Sequence, residues 1–356
     1  MKTNVQIVQH LRPGGIECLA LDLLANPPAG DRGLLVSLEG TYNEAVAHWP
    51  RLEQFKDRLI FLDKRPGLSL RLIWRLVGLL SDVDADVVHT HHVGPMIYGG
   101  LAARIAGVRC LVHTEHDAWH LNDPRRARLV RRIWKLVRPR LVADADLVAA
   151  QVSRLAHIKV DSVIRNGVDL LRFSPGGRMG ARASLSLPVS APIVGMAGRL
   201  SKVKNQGAAI FALRQMECEE VHLAIAGDGE ERGALEELAR SVGLEDRVHF
   251  IGHIDGIERF YRAVDCLCLP SSSEGYPLTL IEAQACGLPV VASQVGGVPE
   301  AVCPESGRLV PVDDIRELAV SLAEVLQTPK PRAARAFAEK RGNLTAMVSA
   351  YGRLMG

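Results

Sequence analysis

No run of 18 or more apolar residues occurs in this chain of 356 residues. Arg71, Arg75, Asp82 and Asp84 interrupt the leucine-rich segment around 68–80, which excludes a membrane-spanning helix there. The opening stretch from Met1 to His10 reaches Arg12 and Pro13 without the apolar run of a signal peptide. It reads as a first buried strand, and secretion is not expected. Cysteine is sparse: the seven (Cys18, Cys110, Cys218, Cys266, Cys268, Cys286, Cys303) are odd in number and scattered. That excludes a disulfide framework and fits reduced core residues of a cytoplasmic protein. An excess of one charge is missing too, since a net charge of +3 is too small to demand nucleic acid as a partner. Solenoid repeats and low-complexity tracts are absent.

What the chain does contain is core-forming sequence: 47% of its residues are hydrophobic and 23% charged, as in soluble globular domains. The length exceeds what one hydrophobic core serves, so two domains are expected. Short apolar runs alternate with amphipathic stretches throughout, the pattern of parallel βα units. Strands are expected near 5–9, 34–38, 59–62, 87–90, 110–114, 147–150 and 162–164, then at 193–197, 222–226, 248–250, 266–269 and 290–292. The fold class is therefore α/β with two Rossmann-like parallel sheets. Residues 1–165 form the first domain and 178–331 the second. The Gly- and Pro-rich segment 166–177 reads as the linker, and a final helical stretch, 332–356, follows Pro329 and Pro331.

In open parallel sheets ligands sit beyond the carboxyl ends of strands, so the loops there carry the functional reading. Gly14 and Gly15 follow the first strand and lead into a helix, where glycine lets a phosphate approach the main chain. After the first strand of the second half, Arg199 can fork onto a diphosphate and Lys204 adds a point charge, a metal-free way to neutralise pyrophosphate. The run from Pro270 to Pro289 places Glu274 and Gly275 in a loop ahead of a helix whose free amides near Leu278 and Thr279 would face a phosphate. Glu282 lies about 7 Å further along that helix, a reach suited to ribose hydroxyls.

The run from Glu274 to Glu282 resembles the paired-glutamate motif of the retaining glycosyltransferases of family 4. The resemblance extends over Gly14-Gly15, Arg199 with Lys204, Asn166-Gly167-Val168-Asp169, Gly227-Asp228-Gly229 and Gly296-Gly297-Val298-Pro299-Glu300. It implies a GT-B fold, two Rossmann-like domains facing across a cleft, with the last helix crossing back to the first domain. By resemblance Glu274 contacts hydroxyls of the donor sugar, Glu282 holds the ribose, and Arg199 and Lys204 bind the diphosphate. A histidine after a first-half strand, close to the reacting sugar, is expected at His116, with Asp117 a candidate on the acceptor side and His113 pointing into the sheet. Glu274, His116, Arg199 and Lys204 are thus the catalytic candidates. Base recognition is expected from main-chain groups near Gly252 and His253.

His89, His91 and His92 raise the question of a metal. Alternation on a strand splits them between two sides, and no partner set completes four ligands. Asp144-Ala145-Asp146 is set aside as preceding a strand. No metal and no cofactor are expected beyond the nucleotide-sugar substrate. Arg125 to Arg140 holds eight basic residues and no acidic one, with Val130, Ile133, Trp134 and Val137 at helical spacing. Either the basic face meets an anionic membrane at the inner side of the cell membrane, or the apolar stripe packs on the sheet beneath solvated arginines; the two are compatible.

The function expected from these readings is transfer of a sugar, with retention implied by the resemblance alone, from a nucleotide sugar to a glycan or lipid-linked glycan in cell-surface polysaccharide synthesis. The rival readings are a nucleotide-sugar epimerase of related fold and a catalytically silent sugar-nucleotide-binding component of an assembly complex.

Overall fold

The computed structural model describes residues 2–27, 30–216, 218–327 and 332–356. Pro329 and Pro331 lie outside the described residues. The chain divides into two compact units, one of Met1–Asn166 with Thr345–Gly356, the other of Gly167–Leu344.

The first unit holds seven parallel strands: β1 (Thr3–Val8), β2 (Arg32–Ser37), β3 (Leu59–Phe61), β4 (Val87–His91), β5 (Cys110–Glu115), β6 (Arg140–Ala143) and β7 (Ser162–Val163), in the order β3-β2-β1-β4-β5-β6-β7. Its inner strands β1, β2, β4, β5 and β6 are buried on both faces, as expected where helices cover a parallel sheet, while the edge strands β3 and β7 are half-buried. One core packs Val5, Ile7, Leu34 and Val88 against Leu72, Leu76, Ala102 and Val137. The opposite face packs Val8 and Leu35 against Leu21, Leu24 and Leu52.

The second unit holds β8 (Ile193–Ala197), β9 (His222–Ala226), β10 (Val248–Gly252), β11 (Cys266–Leu269), β12 (Val290–Ser293) and β13 (Arg308–Val310), in the order β10-β9-β8-β11-β12-β13. Both sheets are doubly wound, and strand order reverses between β1 and β4 and between β8 and β11. Such reversals open a crevice at the carboxyl edge, because the flanking connections leave on opposite faces.

Three expectations need correction. Leu147–Ala150 is helical, inside Asp146–Ala156, and the strand is β6, just before it. A four-residue apolar run such as Leu-Val-Ala-Ala fits either structure, and periodicity cannot separate them. Asp144 therefore follows a strand instead of preceding one. Second, the segment read as a linker is tied into the second unit: Arg262 donates to the carbonyls of Arg172 and Ser174, and Arg335 to those of Leu170 and Phe173. Third, the last helical stretch is two helices, Ala333–Arg341 and Leu344–Met355. Gly342 breaks it where a Cβ would stand 2.2 Å from Cγ2 of Ile281. The last helix is anchored in the first unit by buried Tyr351, whose hydroxyl is 3.0 Å from that of Thr114.

Candidate functional site

In the second unit, the loops after β8, β9, β11 and β12 converge on the carboxyl edge at the reversal of strand order. Lys204 Nζ donates to Glu274 Oε1 at 2.6 Å, and the Ser272 amide donates to the Val203 carbonyl at 2.9 Å. These two bonds join the loop after β8 to the loop after β11. Arg199 is mostly exposed and grips Glu230, with Nε at 3.1 Å and a terminal nitrogen at 3.0 Å from Oε2. A main-chain hydrogen bond, and then Arg199, hold the Glu230 carboxyl below its ordinary range. A second carboxylate, Glu282, accepts from the hydroxyl of buried Tyr261 at 2.6 Å, which orients it on the helix Leu278–Ala285.

Glycines let these loops touch. Gly296 has φ +49°, and a Cβ there would stand 1.7 Å from the Glu274 carbonyl oxygen. The next amide, of Gly297, donates to the Gly275 carbonyl at 2.9 Å. Gly227 likewise leaves no room for a Cβ, which would fall 2.0 Å from the Gly198 carbonyl oxygen. The Gly227 amide donates to the Gly252 carbonyl, so part of the main chain expected to read a base already braces the neighbouring loop. The His253 ring is half exposed, 3.7 Å from Asp255. The helix after Pro277 has no side-chain cap, which leaves the first-turn amides of Leu278 and Thr279 without side-chain oxygen acceptors from the cap.

In the first unit the carboxyl edge is rich in histidine. Gln6 Nε2 donates to the Ala20 carbonyl at 2.9 Å, so its Oε1 faces His91 Nε2 at 3.1 Å as an acceptor. That fixes the His91 proton on Nε2, and His91 Nδ1 then accepts from His116 Nε2 at 3.0 Å. On its other side, His116 Nδ1 stands 3.5 Å from Asp144 Oδ2, an oxygen that accepts from Asn166 Nδ2 at 3.3 Å. Burial pushes His89 and His91 well below the ordinary histidine range, and neighbouring histidines add to it. Burial likewise brings His92 down to about 4. His113 points into the sheet, with Nδ1 2.9 Å from the Thr90 hydroxyl. At Asp117, burial opposes charge on the neighbouring His120, but the Asp117 hydrogen bond and the Glu115 carboxylate outweigh it and lift that ring.

Gly14 and Gly15 open the helix Gly15–Ala25. A Cβ on Gly14 would stand 2.4 Å from Glu17 Oε2, so this glycine accommodates a buried carboxylate. Burial raises Glu17 to about 7, against the pull of its own main-chain N–H and of His116. His10 Nδ1 is 3.4 Å away.

The second unit thus carries Arg199, Lys204, Gly252, His253, Glu274, Gly275, Leu278, Thr279 and Glu282, of which Lys204 and Glu274 are bonded to each other while Arg199 pairs with Glu230 and Glu282 with Tyr261; the first unit carries Gly14, Gly15 and His116. Sequence reasoning missed Tyr261, Glu230 and Glu17, and it weighed His91 and Asp144 only as metal candidates, not as neighbours of His116. His91 and Asp144 carried a visible signal, a polar residue at a strand's carboxyl end, but Asp144 was hidden by the misplaced strand. Among the described residues no group of three or more His, Cys, Asp or Glu is arranged to hold a metal ion. Asp144 faces His116 while Asp146 pairs with Arg165, so this pair of aspartates diverges.

The basic segment forms the helix Pro124–Val137, with Ala127, Val130 and Val137 buried. Its apolar stripe therefore packs inward, while Arg125, Arg126, Arg128, Arg131, Arg132 and Lys135 are exposed. No helix among the described residues is long and apolar enough to cross a membrane.

Residues 7–172 match the model of Glycosyltransferase Family 4, and residues 180–341 that of Glycosyl transferases group 1. The D-inositol 3-phosphate glycosyltransferase of Saccharomonospora viridis is 35% identical over 274 residues, 70% of this chain and 63% of that protein. The enzyme of that name from Mycolicibacterium smegmatis is 33% identical over 298 residues, 76% of this chain and 68% of its own length. The chain thus spans just under two thirds of the first of these relatives. Among solved structures, Anabaena HepE in complex with UDP-glucose superposes with a TM-score of 0.86 at 24% identity, covering 99% of both chains. Sucrose-phosphate synthase of Thermosynechococcus elongatus gives 0.81 at 24% identity, over 99% of this chain and 98% of that one. At that identity, the likeness to both structures is one of fold.

Proposed function

This chain belongs to the family 4 glycosyltransferases (glycosyl transferases group 1) and has their GT-B architecture of two Rossmann-like sheets; from that premise we propose that it moves a sugar from a nucleotide-diphosphate donor to a glycan or lipid-linked glycan acceptor, with retention and without a metal. The observation that carries this reading is the Lys204–Glu274 bond at 2.6 Å beside Arg199, at the reversal of strand order in the second unit. Cations placed there neutralise a departing diphosphate, and a carboxylate 10% exposed on its side chain is placed for sugar hydroxyls. Glu282, oriented by Tyr261, takes the ribose. Arg199 and Lys204 supply preorganised charge, which acts on the transition state more than on the ground state. The glycosidic bond loosens toward an oxocarbenium-like state, and the leaving phosphate oxygen takes the proton of the attacking acceptor hydroxyl. In the first unit, His116 is the residue assigned to the reacting sugar, held by His91 and Asp144.

That HepE binds UDP-glucose supports a nucleotide-sugar donor. The names of the relatives favour a second acceptor reading, a polyol phosphate such as inositol phosphate. The exposed basic face of Pro124–Val137 suits peripheral contact with the inner face of the cell membrane, each arginine near the lipid contributing about 1 kcal/mol. A cytoplasmic enzyme of cell-surface polysaccharide synthesis fits these traits.

The test is thermal stabilisation by a panel of nucleotide sugars, with and without EDTA, followed by product analysis with glycan, lipid-linked and polyol-phosphate acceptors. A shift of several degrees that survives chelation is expected for one donor. A shift abolished by EDTA sinks the metal-free mechanism. Interconversion of free nucleotide sugars without acceptor would make the protein an epimerase instead.

A further inference from the structure

The first unit carries an apolar tip that its own core does not use. Leu68 is 93% exposed, Leu70 78% and Trp74 65%. Leu70 and Trp74 lie one turn apart on the outer face of the helix Leu70–Asp82, whose inner face, Leu72, Leu76 and Leu80, is fully packed. Side chains so exposed could reflect a frayed loop, but the main chain here is pinned. The Ser69 amide donates to the Tyr98 hydroxyl at 3.3 Å, that hydroxyl lies 3.4 Å from the Gly67 carbonyl, and Ser69 Oγ caps the helix through the Leu72 amide. Leu68 is thus held out between two anchored residues.

Charge surrounds the tip. Arg65 and Arg71 are exposed beside it. The helix Val93–Ile105 packs against both Leu70–Asp82 and the basic Pro124–Val137, and residues of all three fill the same core on one face of the sheet. The basic helix adds Leu129 and Leu136 to the exposed apolar residues. Tip and basic helix therefore stand on one side of the unit, with side chains of the kind that lie in a membrane interface: Trp and Leu on one part, Arg and Lys on the other. Three side chains present roughly 500 Å² of surface, below the ~800 Å² per partner that a stable protein interface buries.

We infer that Leu68, Leu70 and Trp74 form a bilayer-inserting tip that enters the headgroup layer of an anionic membrane, with the basic helix drawing the protein to the surface. The inference rests on the reading of the basic helix only for its long-range attraction; the tip's insertion is tested separately.

The experiment is flotation of the full chain with vesicles of phosphatidylcholine containing roughly one third phosphatidylglycerol, at low and physiological salt. Three proteins are compared: wild type, a tip variant (Leu68→Ser with Leu70→Ser and Trp74→Ser) and a charge variant (Arg128→Glu with Arg131→Glu and Arg132→Glu). All six positions are exposed, and an unchanged Tm certifies the fold. The tip variant is expected to bind at least tenfold more weakly at physiological salt, while retaining salt-sensitive binding in dilute buffer. Vesicles should blue-shift wild-type tryptophan emission, and Trp74→Phe should remove most of that shift. Wild-type partition of the tip variant overturns the proposal. So does a wild-type dimer, without lipid, that the tip variant converts to monomer, since the tip would then serve a second copy. If instead the charge variant binds like wild type while the tip variant does not, the tip stands and the basic-helix reading falls.

Discussion

Lys204 and Glu274, from loops after different strands, are bonded to each other at 2.6 Å. One is assigned to the diphosphate and the other to the sugar, so each neutralises its partner until a donor arrives. Under the proposed roles, donor binding would exchange these partners: phosphate oxygens would draw on the ammonium, freeing the carboxylate for hydroxyls.

Replacing Lys204 by Ala should lower kcat/KM by ~10²-fold or more, the usual loss when one preorganised donor to a leaving group is removed. Stability should fall as well, by about 3 kcal/mol, because the Glu274 carboxylate, only 10% exposed, loses its cation; kcat/KM is therefore compared on folded protein. Steady-state kinetics and nucleotide-diphosphate titration decide it; full activity with unaltered nucleotide affinity would remove Lys204 from the site.

Tyr261→Phe deletes only the hydroxyl that donates to Glu282 at 2.6 Å. A hydrogen bond to a carboxylate is worth about 1.5–3 kcal/mol, and the ribose contact proposed for Glu282 would depend on that orientation. The expectation is a nucleotide affinity lower by roughly tenfold, with kcat at saturating donor close to wild type. Equal affinities in the two proteins, measured by calorimetric titration, would show that Tyr261 only fills space.

Gly296→Ala asks for a Cβ 1.7 Å from the Glu274 carbonyl oxygen at φ +49°. Main chain has to move on both sides, so the unit should lose at least about 2 kcal/mol. Denaturant unfolding measures this. Activity should fall further than stability explains, because the displaced peptide carries Glu274. A variant as stable and active as wild type would mean that the two loops separate freely.

Glu17 and the buried histidines give the first unit opposing pH dependences. Glu17 is raised from 4.5 to about 7, so between these values the folded state binds more protons than the unfolded one and stability falls as pH rises. The penalty, present in full above about pH 7, is about 3 kcal/mol. His89 and His91 are depressed; unfolding lets them take protons, so their contribution is lost as pH falls through the unfolded value near 6.5. Glu17→Gln should therefore gain stability relative to wild type at pH 8 and not at pH 4. Unfolding curves at the two pH values test this, and an equal effect at both would place the Glu17 proton elsewhere.

The alternation of apolar runs by itself determined two parallel sheets, and the loop motifs determined which residues of the second unit are candidates for the site. Arg199 with Lys204 and Glu274 with Glu282 were legible because each pair lies within one loop and its adjoining turn or helix, where residue spacing along the chain fixes position. Tertiary structure alone decided the partners. Tyr261 reaches Glu282 from another helix, Gly296 meets Glu274 from another loop, and His91 meets His116 because β4 and β5 pair side by side. It also decided that 140–143 and not 147–150 is a strand, since β6 gains its ladder from β5 and β7 while the next apolar run has no strand to pair with. The last helix belongs to the first unit for a similar reason: Tyr351 buries its ring beside His89 and its hydroxyl on Thr114, more than two hundred residues away. Local pattern fixes which face of an element is apolar; only the assembled chain fixes which polar groups, brought together by that burial, must satisfy one another.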